Sequence, residues 1–421
     1  MQLIHRWPFI LAACFLLVGS SRAFTREVYV WQRQFSRAVY EAIELVKGDV
    51  DACAILAAEI NWEAGQPRLF RSAANYKLLA TAGRPVGLVL RIGPWAGKFA
   101  SDDETARYLS GVVLALLKTA RSDGLEPAEL QVDFDCASSK LAGYRLWLEA
   151  VKPIAGPTKI VFTALPDWLG REDFPALARA ADGYVLQVHS LEKPTGPDDD
   201  FQLCDPDRAW VWITQAGRVG LPFRVALPTY GYQLAFDADG RFIALSAEAT
   251  PPAWPRGTQI RTVRSNATVV AELARKLATA SPPACTGIIW FRLPVVGDRL
   301  NWDLSTLKVV LRGEVPRSQL AAEVVWLADG LAEVSLVNRG EQDESSPAMV
   351  QVRWTDDASV ISLDGLNGYS PSSDRTRPGV VTLSVSQGAG DNRIAPERHC
   401  KIGWFRFSHE IPLVLQVISQ P

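Results

Sequence analysis

The sequence of 421 residues has no excess of either charge: 44 Lys and Arg stand against 46 Asp and Glu. A dedicated nucleic-acid binder is usually basic, so this balance argues against one. There is no block of like charge and no low-complexity tract, which argues against long disordered segments. Cysteine is scarce, at 6 residues. No C-x-x-C and no Cys/His cluster occurs, so no zinc site is expected, and no other metal or organic cofactor is implied. No Gly-rich phosphate loop follows the first strand-like segment, which argues against a dinucleotide-binding fold. No apolar run reads as a membrane span of the mature chain; the one candidate, Trp7 to Val18, is too short to cross a bilayer comfortably.

That run has another reading. Arg6 precedes it, and the small polar segment Gly19-Ser20-Ser21-Arg22-Ala23 follows. This is the order of a secretory signal, with cleavage after Ala23 and residues 1–23 removed. Leu11-Ala12-Ala13-Cys14 resembles a lipobox, but the apolar stretch continues past Cys14, so lipid anchoring is the less favoured alternative. The expectation is an exported protein, periplasmic or secreted. Five cysteines would remain: Cys53, Cys136, Cys204, Cys285 and Cys400.

Apolar strand-like runs alternate with amphipathic stretches from Val28 to Leu311. The strands are read at Val28–Trp31, Ala52–Ile60, Val86–Ile92, Leu130–Phe134, Lys159–Leu165, Tyr184–Val188, Phe223–Leu227 and Gly287–Phe291. Helices are read near Ser36–Lys47, Leu69–Ala82, Glu104–Ser122, Ser138–Val151, Phe174–Ala181, Pro206–Arg218, Ala267–Ala280 and Leu304–Leu311. Such alternation, with strands apolar on both faces, predicts a (β/α)8 TIM barrel over 24–313. An oversized connection at about 233–265 reads as a hairpin turning at Asp237-Ala238-Asp239-Gly240, placed to wall a cleft. After Arg312 the pattern changes to short alternating runs without helices, which predicts an all-β sandwich over 314–421.

In a barrel, chemistry gathers at the C-terminal ends of the strands. There the fourth strand ends Asp133-Phe134-Asp135-Cys136, with both carboxylates on one face. Stacked carboxylates repel one another, raising one pKa and suiting it to acid–base work. Glu59 ends the second strand, and Asp167 with Trp168 follows the fifth. Arg91, Gln187, His189, Trp290 and Arg292 end others, and Tyr230 and Tyr232 follow the seventh. Taken singly, each of these has a plain structural alternative, as cap, core residue or surface charge. Converging on one face, they describe a polar site with aromatic walls, the composition a carbohydrate needs. Cys136 and Cys204 fall in loops on that same face and are the expected disulfide pair.

Four segments carry a resemblance: Val28-Tyr29-Val30-Trp31-Gln32-Arg33, Leu130 to Cys136, Tyr184 to Leu191, and Leu227-Pro228-Thr229-Tyr230-Gly231-Tyr232. On these the chain resembles a bacterial family known only as a domain of unknown function, number 3142. More distantly, the barrel is similar to the chitinase-like family 18 glycoside hydrolases. Their fourth-strand motif, Asp-x-x-Asp-x-Asp-x-Glu, is matched at its last two Asp by Asp133 and Asp135. Their seventh-strand segment is matched by Pro228-Thr229-Tyr230-Gly231, and their eighth-strand Trp by Trp290. Leu130 and Ala137 stand where that motif has its first Asp and its acid Glu.

The resemblance implies a barrel acting on a polysaccharide or oligosaccharide, with Asp135 and Asp133 in its chemistry and Glu59 or Asp167 as second carboxyl. Arg91, Gln187, His189, Tyr230, Tyr232 and Arg292 would bind the sugar and Trp290 would stack on it. Ala137 favours the competing reading, a glycan binder without catalysis. A third, an envelope structural protein, would have side chains plugging the barrel mouth.

Overall fold

The computed structural model describes residues 24–190, 194–247, 253–345, 348–355, 359–373, 378–385 and 393–419. The expected signal segment 1–23, with Cys14, lies outside the described residues, as do 248–252 of the insertion.

The first strand, β1 (Thr25–Val30), leads through α1 (Arg37–Val46) to β2 (Ala52–Glu63). β2 runs past the barrel rim and folds back as β3 (Gln66–Arg71), before the short α2 (Tyr76–Ala80). Then come β4 (Val86–Ile92), α3 (Glu104–Ser122), β5 (Glu129–Asp133), α4 (Leu141–Ala155), β6 (Lys159–Ala164), α5 (Phe174–Ala180), β7 (Gly183–Gln187) and α6 (Pro206–Val219). After β8 (Phe223–Pro228) the insertion supplies β9 (Gly231–Phe236), β10 (Phe242–Ser246) and β11 (Gln259–Arg264). The barrel ends with α7 (Ala267–Ala280), β12 (Cys285–Phe291) and α8 (Leu304–Leu311). Parallel pairing runs β1, β2, β4, β5, β6, β7, β8, β12 and returns to β1, so the ring is closed.

Helix starts follow the acids in the sequence. Asp103 accepts from the Ala106 N–H to open α3. Asp205 accepts from the Asp207 and Arg208 N–H groups to open α6, where Pro206 takes a position that needs no donor.

The helix expected near Leu69–Ala82 is corrected. Its first part is the strand β3, because Ala64 (φ 49°) and Gly65 (φ 79°) form a two-residue turn that pairs Glu63 directly with Gln66. Only the last part is helical. The expected hairpin in the insertion forms around Asp237, whose carboxylate accepts from the Asp239 and Arg241 N–H groups, and β11 joins it as a third strand.

The pleat sorts side chains into two layers. Tyr29, Ala54, Val89, Val161, Val185, Ala226 and Ile289 fill the barrel interior. Val28, Val30, Phe134, Tyr144, Trp147, Phe162 and Trp290 pack between strands and helices. β2 breaks this alternation with a bulge between Leu56 and Ala58. Leu56 pairs with inward Val89, but beyond the bulge Glu59 pairs with Arg91, which keeps Glu59 on the inner face. Regular period-two alternation from Ala54 would have turned it outward.

At the N-terminal end of the barrel, buried Arg224 bridges two carboxylates. It donates to Glu129 at 2.7 Å and to Glu27. Beyond α8, two four-stranded antiparallel sheets face each other over one core. Leu331–Asn338 and His399–Phe407 contribute Val334, Leu336, Phe405 and Phe407; Ala348–Arg353 and Val380–Val385 contribute Val350, Val352, Val381 and Leu383.

Replacing Arg224 by Met should destabilise the barrel by about 3–5 kcal/mol in denaturant titrations at pH 8, because it strands two carboxylates away from water. The loss should shrink at pH 5, where Glu27, whose pKa burial already raises, can take up a proton. A neutral or stabilising substitution would show that the bridge is not needed for folding.

Candidate active site at the barrel mouth

A cavity of about 270 Å³ opens at the C-terminal end of the barrel. Its mouth is not plugged. Asp133 and Asp135 both line it, together with Tyr29, Trp31, Arg91, Gln187, His189, Tyr230, Tyr232, Phe291 and Arg292. Leu245 and Ala247 of the insertion form one wall.

The two carboxylates differ in their surroundings. Asp133 is buried at the strand end; it accepts from Thr163 Oγ1 at 2.6 Å and lies 3.8 Å from Arg91 Nε. Loss of hydration raises its pKa, against the opposing pull of Arg91 and Thr163. Asp135 lies past the strand end, open to solvent yet deep within the concave mouth. Loss of hydration and then the neighbouring Asp133 push its carboxyl up to about 7, with Arg91 opposing. Between them Phe134 points the other way, into Tyr144 and Trp147, and anchors the segment.

Aromatic rings make the floor. Trp31 and Phe291 meet at 4.9 Å, and Tyr29 meets both, at 5.5 and 5.6 Å. His189 stacks on Phe291, and burial lowers its pKa to about 3, so the ring is neutral. The Tyr230 hydroxyl lies 3.4 Å from His189 Nδ1 and 2.9 Å from the Tyr232 hydroxyl, which also pairs with Ser190.

The remaining expected residues are placed as follows. Glu59 is buried on the inner face of β2, held by Arg33 at 2.6 Å, and lines an adjoining cleft. Strands in a sheet lie about 4.8 Å apart, so Glu59, two strands from β5, is roughly 10 Å from Asp133 at the backbone level. Asp167 is exposed on the loop after β6 and does not line the cavity. Arg292 is engaged by Asp298 at 2.7 Å and by the Ala247 carbonyl at 2.9 Å, which ties the insertion to the rim.

Trp290, expected as the stacking platform, faces outward instead and packs on Trp302 in the helix layer. The pleat gives the inward place at that strand end to Phe291. Trp31 and Phe291 went unassigned as platforms although the same alternation marks them: Trp31 shares a face with Tyr29, and Phe291 with Ile289. The Cys136–Cys204 bond is not formed; both are buried free thiols. Among the described residues no group of three or more His, Cys, Asp or Glu could hold a metal ion, and no helix is long and apolar enough to cross a membrane.

Residues 82–296 match the family described as Domain of unknown function (DUF3142). No curated protein sequence matches the chain. Among solved structures, a chitinase from Chromobacterium violaceum is similar at 15% identity and TM-score 0.47, over 69% of this chain and 99% of that one. The C-terminal domain of a putative chitinase from Desulfitobacterium hafniense is similar at 14% identity and TM-score 0.48, over 69% and 99%. The spore cortex-lytic enzyme of Bacillus cereus is similar at 14% and 0.46, over 70% and 75%.

A carboxyl raised in the folded state stabilises the fold at acid pH and loses that contribution as pH rises through its folded value. Asp135→Asn should therefore melt above the wild type at pH 8, by roughly 2 °C because water at the mouth screens much of the penalty, and the gap should close by pH 4. Equal melting temperatures at both pH values would show that Asp135 titrates as an ordinary surface acid.

Proposed function

As a chain that belongs to the DUF3142 family, whose description assigns no activity, this protein must be read from its site, and we propose that it cleaves a glycosidic bond with Asp135 as proton donor. The observation that carries this reading is Asp135 itself: an acid brought to about 7, opening on an aromatic-floored cavity. An acid of that strength is substantially protonated near neutrality, as general-acid catalysis requires. Trp31 and Phe291 offer flat faces to sugar C–H bonds, while Gln187, Tyr232 and Arg91 offer polar partners for hydroxyls.

In this mechanism Asp135 gives its proton to the glycosidic oxygen as the bond to the anomeric carbon breaks. The developing positive charge lies beside the Asp133 carboxylate. Water adds to the anomeric carbon and passes its proton to Glu59. Acid and base come from strands two apart in the ring, and a water held between them gives the inverting course of hydrolysis. The export read from residues 1–23, and the division into a barrel at 24–313 and a sandwich at 314–421, belong to the same proposal.

A second reading, sugar binding without cleavage, is favoured by two observations. Ala137 is exposed and outside the cavity lining, at the position where the family 18 motif has its acid, and Glu59 is already held by Arg33.

Reducing-end release from a panel of bacterial and plant glycans tests both. The wild type should release sugar, with a rate that falls as pH rises above about 7 because the donor loses its proton. Asp135→Asn should reduce release by about 10²- to 10⁴-fold, and Glu59→Gln by a similar factor. Proton NMR of the first product should show the inverted anomer. Release unchanged in Asp135→Asn removes it from the chemistry; binding without release establishes the second reading.

A further inference from the structure

The cavity over Asp135 continues into a second lobe of about 460 Å³ above the ends of β1 and β2. Gln32, Arg33 and Glu59 line it on one side, and the loop Val295–Asp298 on the other. Trp31, Arg91 and Arg292 line both lobes and so form the waist between them. Each lobe is of the order of a single small-ligand site, and together they fit a ligand longer than one ring.

The three arginines around this cleft are not equivalent. Arg292 is bound to Asp298 and to a backbone carbonyl, and Arg33 to Glu59. The Arg91 side chain makes no hydrogen bond among the described residues: the carboxylate oxygen it faces, on Asp133, is 3.8 Å away, and the side chain is 44% exposed. Its guanidinium lies over the Trp31 ring at 5.9 Å. Thr163 donates to the other oxygen of the Asp133 carboxylate, Oδ1.

A sugar filling both lobes would cover Arg91 and strip its water. With a neutral sugar, the guanidinium would then be a desolvated charge with only a loose counterion, a costly arrangement. With an acidic sugar, the planar fork would meet a carboxylate through two parallel N–H donors, the geometry in which arginine exceeds lysine or an amide.

We propose that the ligand spans both lobes and carries a carboxylate at the waist, received by Arg91 in a bidentate pair, so that the substrate class is an acidic oligosaccharide. This rests on the barrel being a sugar site, and it is independent of whether the sugar is cleaved.

The test is calorimetric binding of uronate tetrasaccharides, built from galacturonate, mannuronate or glucuronate, each beside its carboxyl-reduced neutral counterpart. Asp135→Asn is the host, so that the ligand stays intact. At least one acidic tetrasaccharide should bind roughly tenfold or more tightly than its neutral form, the factor of a charge-assisted pair. Adding Arg91→Gln should bring that ratio close to one. Arg91→Lys, which keeps the charge without the fork, should fall between, with melting temperatures confirming that each variant is folded. Equal binding of acidic and neutral forms, failure of every acidic form to bind, or a preference that survives Arg91→Gln would overturn the proposal. A preference for acid without reducing-end release from the wild type would uphold it while removing the hydrolytic reading. Release from neutral glycans without any acidic preference would do the reverse.

Discussion

In a closed ring of eight parallel strands the hydrogen-bond ladder leaves no free edge, and the pleat admits every second side chain to the interior. That constraint sets both the filled part of this barrel and the empty part. Lower down, Tyr29, Val89, Val161, Val185 and Ile289 pack together in the barrel interior. Below them Arg224 joins Glu27 and Glu129 from two other strands. At the upper end the same inward phase brings up Trp31, Arg91, Asp133, Gln187 and Phe291, which line an open cavity. The site is thus the last inward layer of the barrel, left unfilled.

The phase is adjustable in one strand, and the adjustment matters. β2 takes an extra residue between Leu56 and Ala58, so the inner face passes from Leu56 to Glu59. A bulge also bends and twists a strand. Here β2 continues beyond the rim, where Ala64 and Gly65 reverse it into β3. One irregularity accompanies both an inward carboxylate and a raised wall beside the second lobe. Opposite, Arg292 joins Asp298 to Ala247 and so binds the rim loop to the insertion. The cleft is bounded by tied elements on both sides.

The barrel was readable because strands buried on both faces and amphipathic helices have different periods over long segments, and closure then follows from their number. Asp133 and Asp135 were readable for the same reason: two positions apart on one strand means one face. Trp290 misled because its residue type matched a family motif while its pleat phase did not; Phe291, the next residue, has the inward phase. The cysteines misled because sharing a barrel face does not fix the distance between two residues on different loops, and both stay free thiols. The β3 hairpin was hidden because Leu69-Phe70 followed by Ala73-Ala74 satisfies helical spacing, and only the positive-φ turn at Ala64-Gly65 decides for a strand. Glu59 was found at a strand end, but the bulge that turns it inward has no clear mark among the small and apolar residues of β2.

The electrostatics of the mouth join these features into one argument. Asp133 and Asp135 share a face only two residues apart, so full ionisation of both is unfavourable, and burial adds to that cost. Thr163 and Arg91 stabilise charge on Asp133, the deeper of the two. Asp135 has neither as a close partner, and its carboxyl, pushed up to about 7, keeps a proton in a substantial fraction of molecules near neutrality. A proton donor therefore arises two residues beyond Asp133 on the same face, without any carboxyl at position 137. Arg91 is only loosely matched, 3.8 Å from the Asp133 oxygen that Thr163 does not hold. An acid that keeps its proton is thus a consequence of placing a pair of carboxylates on one half-buried strand end, and the guanidinium beside the pair stays available to a ligand.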